Sequence, residues 1–348
     1  KELVPYKEAL AAYKKALASG DREGNPRQWS ELAMNVANLQ HCLADYKAEE
    51  PVLKDILAIW EKEYGKDSRE TAIALNNLAQ LLLETNRLAE AEPLMRRALA
   101  ISEASRSPAQ PELSIHLNNL AGLLLETDRF AEAEPLMRRA LLTEGESLGS
   151  NHPDVAIPLG NLAQLLHQTN RLEEAEPLMR RALTIGENSL GSEHPHVAIR
   201  LNNLAHLLKE TNRLEEAEPL MRRALAIDEK VFGNQHRRVA VRLDNLASLL
   251  RDTSRPDEAE RLFRRAKDIG EKAFGSDHPE FATILDNLAR LLKATKRPDE
   301  AEALFRQALS IRQNSYNQQH HSIAESLNSL AGLLNDTGRS NEAAQMLR

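Results

Sequence analysis

Histidine is the residue type most able to do chemistry in this chain. There are 11 histidines, and five of them, His152, His194, His236, His278 and His320, stand 42 residues apart. Ligands so spaced do not converge on one ion, and no cysteine or carboxylate cluster with metal-ligand spacing accompanies them. Each precedes a helix-like run, where a side-chain acceptor serves as a cap. His320 and His321 are adjacent, and chain neighbours do not point at a common ion. No His-Glu-x-x-His, paired cysteines, Gly-rich phosphate loop or Gly-x-Ser-x-Gly turn is present. Cys42 is the single cysteine. It rules out an internal disulfide, fits a reducing cytoplasmic setting, and without an activating neighbour is expected to be buried and inert. These residues predict no catalytic centre, no metal and no cofactor.

Arginine pairs repeat as well, at Arg96-Arg97, Arg138-Arg139, Arg180-Arg181, Arg222-Arg223 and Arg264-Arg265. Such a ladder can track a phosphate backbone. However, Glu92, Glu134, Glu176, Glu218 and Glu260 each lie four residues before the first arginine of a pair. A Glu to Arg pair at that spacing supports a helix by roughly 0.2–0.5 kcal/mol and neutralises the stripe. Few aromatics are interleaved for base stacking. The ladder therefore reads as a solvated helix face, and nucleic acid as an improbable partner.

The elements that carry these residues come from an internal repeat. Leu75-Asn76-Asn77-Leu78-Ala79 returns six times at a step of 42 residues, ending at Leu327–Ala331. A degenerate copy precedes it at Ala33–Ala37. Within each unit, one apolar stripe from about Glu70 to Glu84 and a second from about Leu88 to Glu103 have helical spacing. Between them the Asn86 column holds Asn, Asp and finally Gly338, residues that tolerate the left-handed conformation closing a helix. Pro93, Pro135, Pro177 and Pro219 lie inside the second stripe and should loosen its first turns. Links such as Gly191-Ser192-Glu193-His194-Pro195 pair a glycine stop with a proline start. Residues 1–29 read as an N-terminal helix and link, and 30–348 as an array of about eight units, the last incomplete.

The 348 residues carry 45 Lys plus Arg against 52 Asp plus Glu, a formal charge of −7, with 42% apolar residues. That balance argues against a disordered chain and against general nucleic-acid binding. No apolar run reaches the roughly 18 residues that span a bilayer, so no membrane partner is expected. The start at Lys1 instead of Met suggests a trimmed chain. The final helix breaks off at Arg348, which predicts either continuation of the chain or end-to-end self-association through Met346-Leu347.

Leu75-x-x-Leu78-Ala79-x-x-Leu82 and Leu88-x-x-Ala91-x-x-x-Met95-x-x-Ala98 resemble the two helices of the tetratricopeptide repeat. With Leu201–Ala205, Glu216–Leu220, Arg223–Leu225 and the Gly191–Pro195 link, the array resembles the 42-residue type found in kinesin light chains and their bacterial relatives, over residues 30–348. No heptad coiled coil for pairing with a motor chain is present, which favours a prokaryotic array or sensor module. The resemblance implies an all-α, right-handed solenoid whose first helices line a concave groove that takes a peptide or protein partner. It places the column Asn77, Asn119, Asn161, Asn203, Asn245 and Asn287 on that concave side. There an Asn amide can hold a peptide backbone, or instead bond a neighbouring repeat and keep register; both readings stay open.

The varying columns of the groove should carry specificity: Leu83, Leu125 and His167 early, then His206, Lys209, Arg251, Arg290 and Lys293. Asp244, Asp252, Asp286 and Glu210 temper the late cations, and Asp286 can pair with Arg290 four residues on. The expected function is a non-catalytic scaffold or adaptor. The alternative is the ligand-sensing part of a larger signalling protein, a nucleotide-dependent switch or protease, whose effector lies outside this chain. The exact identity of Glu90–Leu99 in four copies also fits a consensus-type array, although the irregular start before Glu70 speaks against pure design.

Overall fold

A computed structural model describes residues 4–43, 45–105, 111–315 and 321–346. These form seventeen α-helices and one 3-10 turn, with no strand among the described residues. Helix α1 (Val4–Ser19) is followed by eight pairs. They are α2 (Pro26–Cys42) with α3 (Tyr46–Glu63), α4 (Arg69–Glu84) with α5 (Leu88–Ala104), α6 (Pro111–Glu126) with α7 (Phe130–Leu148), and α8 (Ala156–Gln168) with α9 (Leu172–Leu190). Then come α10 (Pro195–Glu210) with α11 (Leu214–Phe232), α12 (Arg237–Asp252) with α13 (Pro256–Phe274), α14 (Pro279–Ala294) with α15 (Pro298–Ser315), and α16 (His321–Asp336) with α17 (Ser340–Met346). The chain is an all-α solenoid of helix-turn-helix units. Its packing divides it into two compact parts, Lys1–Leu178 and Met179–Arg348.

The seven pairs after the first are closed in the same way. Asn86 adopts φ +58°, and Asp128, Asn170, Asn212, Ser254, Lys296 and Gly338 share its left-handed conformation. That turn lets the Arg87 N–H reach back to the Leu82 carbonyl at 2.8 Å and the Asn86 N–H to Leu83 at 2.9 Å. Two of the carbonyls that a helix end leaves over are thereby satisfied. The Thr85 hydroxyl adds a bond to the Leu81 carbonyl at 2.9 Å. At the other turn, Gly149, Gly191, Gly233 and Gly275 end the second helices at positive φ, where a Cβ would be strained.

The links explain the histidine column. The ring Nδ1 of His152, His194, His236 and His278 accepts the backbone N–H two residues on, at 3.3, 3.2, 3.2 and 3.1 Å. They are helix caps, as the spacing suggested; His320 lies outside the described residues. The prolines at 93, 135, 177 and 219 sit inside helices that run on through them, so the loosened first turns expected there do not form a break. The first pair begins at Pro26, capped by Asn25, inside the stretch read as a link. Cys42 is exposed instead of buried, because it ends α2 on the solvent side.

The core is the sum of small and large columns. Ala79, Ala91 and Ala98 are fully buried and bring the helices close, while Leu75 and Met95 fill the space between them. In the later repeats Phe263 and Phe305, both buried, take the place of that methionine. No helix is long and apolar enough to cross a membrane among the described residues.

Candidate functional site

Two surfaces of each part need to be distinguished. First helices pack directly on first helices, α4 on α6 and α6 on α8 in one part, α12 on α14 and α14 on α16 in the other. Among the described residues, neighbouring second helices have no packing of that extent. Within each part the first helices therefore lie on the inner side of the curve and the second helices on the outer side.

The outer arginines are consumed by ion pairs that cross between repeats. Arg96 holds Glu92 at 2.8 Å and Glu132 at 3.1 Å, while Arg129 holds the same two carboxylates at 2.8 Å each. The four side chains form a closed ring. Rings of the same design join Glu134, Arg138, Glu174 and Arg171, and Glu260, Arg264, Glu300 and Arg297. Hydrogen bonds from Arg129 and Arg96 hold the Glu92 carboxyl below its ordinary range. The second arginine of a pair reaches the opposite way, as Arg97 to Glu61 at 2.6 Å and Arg223 to Glu187 at 2.5 Å. The ladder is a neutral inter-repeat staple. The sequence reading found the pairs within a helix but missed the Arg87 column that completes the rings.

On the inner side, the asparagine column bonds laterally. Asn119 Nδ2 donates to Asn76 Oδ1 at 2.9 Å, Asn161 to Asn118 at 2.9 Å, Asn245 to Asn202 at 3.0 Å and Asn287 to Asp244 at 2.9 Å. Asn77 meets only the sulfur of Met34, at 3.4 Å. Each bond links a repeat to the previous one, so the register reading is realised, with one amide hydrogen used per residue. Asn203 differs. It is exposed and bonds no described residue.

Leu83, Leu125 and His167 are half-buried near the ends of their first helices. The late cations already have partners. Lys209 pairs with Asp252 at 2.9 Å, Arg251 with the same Asp252 at 3.1 Å, and Lys293 with Asp336 at 2.8 Å. Arg290 is exposed and donates weakly to Ser329 Oγ at 3.4 Å. The expected bond from Asp286 to Arg290 is not formed, because the buried Arg312 takes the Asp286 carboxylate together with Ser326. His206 is half-buried on α10 beside this row.

A third set of residues escaped the sequence reading. At the interface of a second helix with the following first helix, one pair of positions 14 residues apart changes chemistry from copy to copy. Ser102 bonds His116 at 2.7 Å, Asp228 accepts from Arg242 at 2.8 Å, and Arg312 donates to Ser326. Gly270 makes room for Ile284, and Gly186 for Arg200. Burial pushes the His116 imidazole down to about 4 and lowers the Arg200 guanidinium. The signal was present as complementary size and charge at a constant offset of 14 residues. No group of three His, Cys, Asp or Glu able to hold a metal occurs among the described residues.

A tetratricopeptide repeat family model matches residues 30–104, 112–188, 168–230, 237–314 and 280–348. The chain belongs to the tetratricopeptide repeat family. BtubC (BKLC) from P. vanneervenii is similar at 26% identity over 72% of this chain and 93% of that one, with a TM-score of 0.53. A kinesin light chain-type protein of Podosopora anserina with nearly identical repeats is 23% identical over 60% of this chain and 99% of that chain, TM-score 0.53. A STAND signal-transduction ATPase with a tetratricopeptide repeat sensor from Pyrococcus horikoshii is 14% identical over 97% of this chain and 48% of that chain, TM-score 0.67. No curated protein matches the sequence.

Proposed function

We propose that this chain is a non-catalytic scaffold that grips a peptide or protein segment on its inner, first-helix face. The observation that carries the reading is Asn203, an exposed amide on that face with neither of its groups engaged by the described chain. Donor and acceptor side by side suit an extended peptide backbone. In the first part Asn77, Asn119 and Asn161 keep an amide hydrogen and a carbonyl beyond their lateral bond, next to the apolar Leu83 and Leu125 and to His167. In the second part Asn203, Asn245 and Asn287 lie beside His206, Lys209, Arg251, Arg290 and Lys293. Because three of those cations are internally paired, the face offers a polar track and not a basic trough. A cytoplasmic setting fits the lone, exposed thiol of Cys42.

The test is affinity capture of partners, followed by measurement of the captured segment against Asn203→Leu and against an Arg251→Glu, Lys293→Glu double variant. Loss of binding with Asn203→Leu is expected. Unchanged affinity in both variants overturns the reading. The sensor alternative shares the face, and the fold of the STAND sensor supports it in architecture alone. It requires the captured partner or ligand to change an effector's output in a reconstituted mixture.

A further inference from the structure

The second part carries a site on a different surface, at the repeat edge where links enter the first helices. Helix α12 starts with Arg237-Arg238, where other copies have Pro153-Asp154, Pro195-His196 and Pro279-Glu280. Most described arginines are held by a carboxylate, but these are not. Arg237 is exposed and bonds no described residue, and Arg238 lies over the Phe232 ring at 4.9 Å without an acid. Arg200, one repeat earlier, lacks the acid that its counterpart Arg242 has in Asp228, because Gly186 stands at that position. Its Nη1 is buried with no hydrogen-bond partner. His196 feels His194, Arg200 and Arg238 together, and stacks on His194 at 5.3 Å. In a chain of net charge −7, this edge gathers unneutralised cations.

A notch of about 280 Å³ opens beside them. Its floor is apolar, from Val241 and from Phe274, whose ring stacks on His278 at 5.1 Å. Arg237, Arg238 and the Asp228-bound Arg242 also line it, together with one acid, Glu280. The volume holds one large side chain and lies just under the roughly 300–1,000 Å³ of a typical small-molecule site. Charge then orients an occupant: its carboxylates belong on the arginine side, away from Glu280, with an apolar anchor directed at Val241 and Phe274.

We propose that this edge docks an acidic peptide segment carrying one aromatic or leucine anchor beside its carboxylates, independently of the first-helix face. The stacked Arg238 presents its guanidinium edge for paired hydrogen bonds to a carboxylate, the geometry arginine favours. Exposed pairs of this sort contribute little singly and are screened by salt, so the apolar anchor must supply specificity.

The experiment measures fluorescence polarisation of the full chain with a fluorescein-labelled peptide, Gly-Ser-Phe-Glu-Glu-Asp-Gly, at about 50 and about 400 mM salt. Companion peptides replace Phe by Ala, or the acids by Lys. The variant is Arg237→Pro with Arg238→Glu, which copies the Pro279-Glu280 start of α14 and so keeps a sequence this array already folds. Expected are binding that weakens with salt, at least about ten-fold weaker binding of the Ala and Lys peptides, and at least about ten-fold loss in the variant. No binding at low salt, equal binding of the Ala peptide, or unchanged binding by the variant overturns the proposal. Loss with Asn203→Leu but not with the edge variant assigns the peptide to the first-helix face and also overturns it. Sedimentation of both proteins decides on a second copy: a dimer that dissociates in the edge variant gives this face to self-association instead.

Discussion

Asp228 and Arg242 allow the packing logic to be tested with numbers. Asp228 has no solvent exposure, and its Oδ1 has no partner, so the bond from Arg242 Nε at 2.8 Å is its main compensation. Replacing Arg242 by Ile alone leaves a buried carboxylate unpaired, at a cost of about 3–5 kcal/mol. Adding Asp228→Gly recreates the Gly270 and Ile284 interface one repeat later, where the isoleucine packs over the glycine. Exchanging a buried ion pair for apolar packing is neutral to favourable, against roughly 1 kcal/mol for a glycine within a helix. The double variant should therefore stand within about 1 kcal/mol of the parent. Linear arrays open locally, so the assay is amide hydrogen exchange of peptides from α11 to α13. The single variant should exchange about 100-fold faster or more there, with little change in α15 and α16. If the single and double variants exchange alike, the charge-pair reasoning is wrong.

The two parts should respond oppositely to pH at two buried groups. Burial lowers His116 to about 4, so the imidazole stays neutral when folded; its contribution is complete above its ordinary 6.5 and is lost as pH falls toward 4. Comparing the wild type with His116→Asn by exchange in α5 and α6 between these limits isolates that loss, on the order of 3 kcal/mol. Burial raises Asp244 to about 7, so its contribution is full below its ordinary 3.8 and is lost as pH rises through about 7. Asp244→Asn, the residue that accepts from Asn245 at Asn202, should thus stabilise α12 and α14 at pH 8 by on the order of 1–3 kcal/mol, and show no gain at pH 4. Lys296 holds φ +60° where three earlier copies have Asn; Lys296→Asn should raise the urea midpoint by an amount equal to about 0.5–1 kcal/mol. Alanine in place of His278 should cost about 1 kcal/mol by removing the acceptor for the Glu280 N–H, read by exchange in the first turn of α14.

The fold was readable because its determinants are local and repeated. Asn86, Gly191 and Pro195 each fix one backbone turn, and a repeated apolar stripe fixes which face is covered. The histidine column was assigned correctly for the same reason, since a cap bonds two residues away. What stayed hidden depends on partners at distances that no stripe encodes. Arg129 meets Glu92, 37 residues before it, and Asp286 meets Arg312, 26 residues after it. The pairing of Asp286 with Arg290 was reasonable by helical spacing, but a buried carboxylate takes the partner that shares its burial. Cys42 was misjudged because composition describes average burial, whereas the end of α2 happens to face solvent.

The near identity of the repeats poses a packing problem that the variable pairs address. Four copies of Glu90–Leu99 present interchangeable outer helices, and the Arg-Glu rings repeat with the same geometry, so neither distinguishes one neighbour from another. The pairs at the offset of 14 residues do. Setting Asp228 against a position occupied by Ile284 strands a buried carboxylate, and setting Arg312 against an arginine such as Arg242 places two cations beside the single acid Asp286. Either mismatch carries the penalty of an uncompensated buried charge, several times the roughly 0.2–0.5 kcal/mol of one surface pair. Uniform surface rings thus add cohesion between any two repeats, while the differing buried pairs disfavour stacking between repeats that are not neighbours in the chain. The edge formed by Arg200 and Gly186 is the one interface of this set whose cation is left without an acid or a bonded hydroxyl, and it borders the Arg237-Arg238 notch where an external carboxylate is expected to dock.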